Sequence, residues 1–260
     1  MAGVNLKKIS GLPIFLAGNR IFFGVSMGTP QTEIKSYRRY KSFFKPTGLD
    51  KNKELYYIYR NSRLEKDDPV FRKNGLRYDI TVILPGSIGG EPIRTIGHTH
   101  KLFKGGRPAE IYQVVSGSAL FLLQDIKTNT VYRIPRKSGQ KIVIPGNCAH
   151  LTINQSPNKP LVVADIFINR KNASDYGFFK KTHGPSWRPL RKNGKLFFKK
   201  NPQGNRSAKL LPMTKRVVLP EGIGQKSPLY SEFVKNPNKF SFLTQSKKYA
   251  KKISPQNLFF

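Results

Sequence analysis

Three of the four histidines in this chain fall in one stretch, and their spacing restricts the possible folds more than any other feature. The stretch opens TIGHTH, with His98 and His100 two positions apart. It continues through AEIYQVVSG, with Glu110 and Tyr112 at the same interval, and closes VIPGNCAH on His150. In an extended strand, side chains i and i+2 leave the same face. His98 and His100 can therefore point into one interior, with Glu110 meeting them from the next strand. His150 has to come back to the same place from a strand roughly forty residues later, and a closed antiparallel sheet supplies such a return.

The sequence around these residues reads as strands. LRYDITVIL (76–84), AEIYQVVSG (109–117), SALFLLQDI (118–126), QKIVIPGNCAH (140–150) and LVVADIFINR (161–170) are short, apolar and bounded by turn residues. No helical crossover separates them, which predicts an all-β antiparallel sandwich or barrel. Upstream, LPIFLAGNRIFFG (12–24) predicts a hairpin about Ala17-Gly18-Asn19. Residues 33–44 suggest a short basic helix or an irregular arm ended by Pro46 and Gly48, residues 53–60 a strand, and residues 61–75 a connection. Beyond Asn172 the character changes: residues 188–260 are rich in Lys, Asn, Pro and Ser and nearly free of acid. KLFFKKNP and TKRVVLP suggest isolated strands there, and 228–250 a short amphipathic helix anchored by Tyr230, Phe233 and Phe240. Three parts are expected: an N-terminal arm and hairpin over 1–52, a barrel over 53–187, and a basic, partly ordered extension over 188–260.

Charge bears on partners. Lys plus Arg number 47 against 14 acids, a formal net charge of +33. Nucleic acid or another polyanion is a natural partner for such a chain. The positive residues are spread along the whole length, however, so a generally basic background accounts for them slightly better than a dedicated nucleic-acid site does. The single cysteine, Cys148, excludes an intramolecular disulfide framework and fits a reducing compartment. No apolar run reaches the roughly 18 to 20 residues of a membrane span, and the N-terminus lacks a secretory signal. A cytoplasmic protein without a membrane partner is expected.

His98, His100, Glu110 and His150 make a set of three nitrogens and one carboxylate. Neutral imidazole and carboxylate suit iron, manganese, nickel or zinc, and no thiolate imposes a softer metal. On an octahedral ion four such ligands leave two positions for adjacent substrate oxygens. The alternative is that these are ordinary polar residues on strand faces; three of four histidines in this order, with the Glu, favour the metal. For a reaction that moves hydrogen between neighbouring carbons, Glu110 is the natural base of an enediol route, and a hydride shift is the better account if Glu110 stays bound to the metal throughout; the sequence leaves both open.

The segment from about Asp67 to Tyr176 resembles the cupin-type phosphoglucose isomerases of archaea and bacteria. The residues that carry the resemblance are DPVFRKNGLRYDITVILPGSIGGE, TIGHTH, PAEIYQVVSGSALFLLQD, VIPGNCAHLTIN, PLVVADIFI and SDYG. Weaker similarity reaches back to about Leu12, and the tail beyond about Pro202 has no counterpart. The resemblance implies a jelly-roll cupin barrel, an antiparallel β-barrel with N-terminal strands and a basic C-terminal extension. It also implies interconversion of glucose 6-phosphate and fructose 6-phosphate, a step of glycolysis and gluconeogenesis. It places one divalent ion, Fe2+ before Mn2+, Ni2+ or Zn2+, on His98, His100, Glu110 and His150. Substrate contacts fall at Thr81, Thr95, Gly97, Tyr112 and Tyr176, and a homodimer is implied.

The chain departs from that family's pattern at Phe167 and Asn147, each in place of a tyrosine, and at Ser174, in place of a histidine. The loop carrying Lys101, Lys104 and Arg107 is longer by three residues. Those cations could attract phosphate or form a solvated loop. Cys148 reads as a small buried filler, His183 as structural or exposed, and Trp187 as packing the extension onto the barrel. Two other functions fit parts of the sequence. A cupin that has lost turnover could hold RNA, a ribosome or another polyanion, as the three departures and the +33 charge suggest. An oxidase or dioxygenase would share the metal without needing the EIY and DYG positions.

Overall fold

The computed structural model describes residues 3–44, 52–214 and 216–260. The stops expected at Pro46 and Gly48 lie outside them. Ten strands form the two sheets that position the site. They are β1 (Gln31–Ser36), β2 (Glu54–Arg60), β3 (Leu76–Ile83), β4 (Glu110–Ser116), β5 (Ser118–Asp125), β6 (Thr130–Lys137), β7 (Lys141–Ile144), β8 (Cys148–Asn154), β9 (Leu161–Ile168) and β10 (Lys209–Met213). One sheet has the order β7-β4-β9-β3-β2-β1 and the other β8-β5-β6-β10. Every pairing is antiparallel except that of β6 with β10. One hydrophobic cluster draws on both sheets, and β9 is buried from end to end. That explains why LVVADIFI reads as a continuous apolar run rather than an alternating one.

The closed barrel expected from the sequence is not formed. This is an all-β, cupin-like arrangement of two open sheets, and neither sheet pairs its last strand with its first. The physical reason lies in residues 87–98, which contribute only the two-residue strands Ser87–Ile88 and Glu91–Pro92 and single bridges at Arg94 and His98. Gly89, Gly90 and Gly97 sit at φ +55°, +82° and +77°. Backbone in that region cannot continue a β ladder. Buried polar contacts hold the segment instead. Arg94 Nη2 donates to Phe43 O at 2.6 Å and to Glu91 Oε2 at 3.0 Å, and Arg188 Nη1 reaches Glu91 Oε1 at 2.9 Å.

The hairpin at Ile14–Ala17 and Arg20–Phe23 forms about Gly18 and Asn19 as expected. Residues 33–44 differ from expectation. Their first part belongs to the edge strand β1, and the helical part is one α-turn over Tyr37–Tyr40 followed by a 3-10 turn over Lys41–Phe43. The connection 61–75 contains a helix, Asp68–Asn74, with Pro at its start and Gly75 capping its end at φ +63°. In the basic segment KLFFKK pairs with Trp187–Lys192, whereas the described residues of TKRVVLP form no strand, only a bridge from Val217 to Phe259.

The helix expected in 228–250 is α1 (Leu229–Lys235), followed by a 3-10 turn over Pro237–Leu243 that buries Phe240. Tyr230 Oη donates to Asp67 at 2.6 Å, and Phe233 packs on Phe71 with ring centroids 4.6 Å apart. Lys141 Nζ meets Glu232 at 2.8 Å. Trp187 Nε1 donates to Ala208 O at 3.0 Å. Among the described residues no helix is long and apolar enough to cross a membrane.

Candidate metal centre

His98 and His150 are joined through the backbone. His98 N donates to His150 O at 3.1 Å, and His150 N donates back to His98 O at 3.0 Å. Two residues on, Thr99–His100 pairs with Ser174–Asp175. Glu110 begins β4 directly opposite Ile144. These four side chains arrive from three separate segments, and one ligand atom from each lies within 4.8 Å of the others. Glu110 Oε2 is the hub, 3.1 Å from His100 Nε2, 3.2 Å from His150 Nε2 and 3.9 Å from His98 Nε2. The fourth histidine, His183, stands in a turn at φ +50° and is not part of the cluster.

The protonation pattern suits a cation. His100 Nδ1 lies 2.7 Å from Pro108 O, and a carbonyl can only accept, so Nδ1 carries the proton and Nε2 presents a lone pair. Burial pushes His98 and His100 below the usual imidazole range, which keeps them neutral. Burial alone would raise Glu110. The close approach of the His100 and His150 rings, at 3.1 and 3.2 Å, outweighs it and holds this carboxyl well below its usual range. His98 Nε2 and both ring nitrogens of His150 are buried without a hydrogen-bond partner. Several lone pairs thus converge on one point with no proton between them, an arrangement that a divalent cation relieves. The donor set fits such an ion and does not identify which one.

Beside the cluster is a cavity of about 50 Å3 lined by His98, Glu110 and His150. Thr81, Thr95, Gly97, Tyr112 and Tyr176 line it as well. Thr95 Oγ1 accepts a bond from Thr152 N at 3.0 Å. Tyr176 stacks obliquely near His98, with ring centroids 5.8 Å apart. Gly97 has a packing reason to be glycine: a Cβ there would lie 2.6 Å from the Phe179 ring and 2.9 Å from His150 O. Ser174 also lines the cavity, and Phe167 packs on His100 with centroids 4.4 Å apart. Asn147 lies in a separate cleft with Arg107 and Lys247. Lys101, Lys104 and Arg107 do not line the central cavity. Cys148 is buried, and burial pushes its thiol up, as a filler requires.

Sequence reasoning missed the three ionisable residues Arg60, Arg77 and Asp165 of this cavity, along with the apolar and aromatic lining of Tyr56, Ile58 and Ile96. Burial first, then the charges of Glu110 and Asp79, push the Asp165 carboxyl well up, so it is neutral and can share a hydrogen bond with Glu110. The one acid inside the apolar run of β9 was the available signal. Arg60 ends β2, where a cation at a strand end passes for a solvated terminus.

A family model described as "Glucose-6-phosphate isomerase (GPI)" matches residues 35–206. A glucose-6-phosphate isomerase of Thermococcus onnurineus is 32% identical over 127 residues, covering 49% of this chain and 61% of the relative. One of Thermococcus litoralis is 29% identical over 149 residues, covering 57% of this chain and 72% of the relative. The chain therefore spans less than two thirds of the first relative. The solved structure of an oxalate oxidase aligns over 48% of this chain and 56% of its own at 17% identity. Its TM-score of 0.35 is too low to carry an argument.

Proposed function

The chain belongs to the glucose-6-phosphate isomerase family, and on that premise we propose that it is a metal-dependent aldose–ketose isomerase converting glucose 6-phosphate and fructose 6-phosphate. The observation that carries the reading is the convergence of His98, His100, Glu110 and His150 on one point beside a cavity lined by hydroxyls. A divalent ion held by these four residues, with Fe2+ our first choice, would stabilise negative charge developing on two adjacent substrate oxygens.

The remaining roles belong to the chain. Glu110 is held ionised, so it can take a proton from the carbon beside the carbonyl and return it to the neighbouring carbon. Asp165, held neutral beside it, keeps one carboxylate oxygen hydrogen-bonded and so orients the other. Burial, with the Glu110 charge adding to it, holds the Tyr112 hydroxyl well up, so this group stays a donor to a substrate oxygen. Thr81 and Tyr176 offer further hydroxyls at the cavity wall. A coupled assay of fructose 6-phosphate conversion by wild type and His98→Ala tests the reading. Turnover in the wild type only is expected. A wild type that binds metal and turns over neither sugar phosphate would end it.

A second reading, binding of RNA or another polyanion, is favoured by one observation. The hairpin Trp187–Lys200 frames a cleft of about 570 Å3 with Arg191, Lys192, Lys199 and Lys200 on its wall and Phe197 44% exposed. Cations interleaved with an aromatic suit a single-stranded backbone and its bases. RNA affinity measured against salt tests it: a steep fall is expected, and no binding at low salt removes the reading.

A further inference from the structure

The family match ends at residue 206, and the chain that follows returns to the neighbourhood of the metal centre. It meets residues 101–108, the loop that joins His100 to Glu110. A cleft of about 270 Å3 is shared between Leu102, Gly105 and Arg107 of that loop and Phe242, Tyr249 and Ile253 of the tail.

We propose that residues 242–253 clamp this loop and thereby position His100 for the metal, so that the C-terminal extension sets metal affinity without touching the ion. The clamp rests on the reading of His98, His100, Glu110 and His150 as a metal site, and not on the identity of the substrate.

The loop acts on His100 at two atoms. Pro108 O accepts from Nδ1 at 2.7 Å, which fixes the tautomer that leaves Nε2 free, and Arg107 Nη1 donates to the His100 carbonyl. Outer partners of this kind orient a ligating imidazole and raise its basicity. Just before them the chain makes a tight turn. Phe103 and Gly106 exchange backbone bonds of 2.7 and 3.1 Å around Lys104 and Gly105, at φ +48° and +80°. Gly106 ends that turn and adjoins Arg107, so displacing Gly106 displaces both groups that hold His100.

The tail meets the turn at Gly106. A Cβ on Gly106 would lie 2.7 Å from Ser246 Oγ and 3.1 Å from Lys247 N, so loop and tail touch with no side chain of Gly106 between them. The first residues of the loop are held elsewhere: Lys101 N donates to Ala173 O at 2.8 Å, and Arg170 Nη1 to Leu102 O at 3.0 Å. The tail is itself fixed on either side of the contact. Phe240 packs on Phe233 with ring centroids 5.2 Å apart, and Phe259 packs on Tyr132 of β6 at 5.7 Å. Between these points Phe242 and Leu243 are buried, and Ser241 Oγ shares a hydrogen bond of 3.0 Å with Tyr249 Oη. A segment anchored in this way can hold the turn in place.

Gly106→Ala in the full chain tests the clamp. Gly106 is not at positive φ, so the added Cβ acts as a wedge between loop and tail and not as backbone strain. It should weaken Mn2+ or Zn2+, followed by calorimetry, by about tenfold, the low end of what an outer partner contributes. Ser246 Oγ is buried without a hydrogen-bond partner, so Ser246→Ala removes the nearest obstacle without breaking a hydrogen bond. The double variant Gly106→Ala with Ser246→Ala should recover part of the lost affinity. Nitrogen NMR of the imidazoles in the metal-free chain reads the positioning itself: His100 should be a single tautomer, protonated on Nδ1, in the wild type and a mixture of two in Gly106→Ala. Arg107→Gln loosens the same loop from its other end, should weaken the metal by a similar factor, and gives the answer if circular dichroism shows that Gly106→Ala does not fold. Three results would overturn the clamp: a wild type that binds neither ion, wild-type affinity in both single variants, or a loss that the second substitution does not relieve while His100 keeps its wild-type tautomer. Affinity that falls with the wedge, in a protein that turns over neither sugar phosphate, would keep the clamp and remove the isomerase. Turnover with metal affinity unchanged in the variants would do the reverse.

Discussion

His98 and His150 are locked to each other by two reciprocal backbone hydrogen bonds of 3.1 and 3.0 Å, which set their imidazole rings 4.4 Å apart. The bonds do not use the side chains, so the scaffold survives loss of either ring. His98→Ala and His150→Ala should therefore keep the circular dichroism of the wild type. They should lower affinity for Mn2+ or Zn2+ by more than the ~10–100-fold that follows from losing an outer-shell partner. Calorimetric titration of both ions checks this.

Gly97 joins that pair to the rest of the site. Its φ of +77° and the short approach of a Cβ to Phe179 and His150 O both oppose a side chain. Gly97→Ala should cost about 1–3 kcal/mol in urea unfolding. Adding Phe179→Ala relieves one clash but leaves the backbone strain and the carbonyl contact. The double variant should therefore remain less stable than the Phe179→Ala single variant.

Acid sensitivity should trace in part to Glu33. Burial works to raise this carboxyl, but hydrogen bonds and charge from Arg60 and Lys35 outweigh it and bring it down to about 2 from 4.5. A lowered folded value means that its contribution is fully present above pH 4.5 and is lost as the pH falls towards 2. In thermal melts across that window, the advantage of wild type over Glu33→Gln should shrink steadily as acid is added. A constant difference would show that the pair does not titrate with folding.

The Lys141–Glu232 pair ties β7 to α1, with side-chain exposures of 0% and 8%. Lys141→Met leaves Glu232 buried without its cation and should cost about 3–5 kcal/mol in denaturant unfolding. Changing both residues, Lys141→Met with Glu232→Leu, should recover part of that loss. Limited proteolysis should cut between residues 220 and 260 in the single variant first.

The sequence carried the centre of the site more fully than its frame. His98, His100, Glu110 and His150 were legible because a period of two and a distant return leave few geometries that bring them together. The closed barrel was not legible correctly, since closure depends on whether residues 87–98 run as a strand. Three glycines at positive φ decide that locally. Arg60, Arg77 and Asp165 were hidden for a different reason. Arg60 and Arg77 interact through Asp79, which is remote from Arg60 in sequence, and nothing in local spacing announces a shared counter-ion. The helix over Asp68–Asn74 carried its own signals in Pro69 and Gly75 and was passed over because charged residues crowd the segment.

Metal content of the purified chain tests the account most directly. Mass spectrometry of the metals in dialysed wild type should find about one divalent ion per chain. Chelator should remove both the ion and the isomerisation of fructose 6-phosphate, added metal should restore both, and His98→Ala should hold neither. A wild type that stays metal-free in the presence of Fe2+, Mn2+, Ni2+ and Zn2+, or that isomerises equally well after chelation, would contradict it.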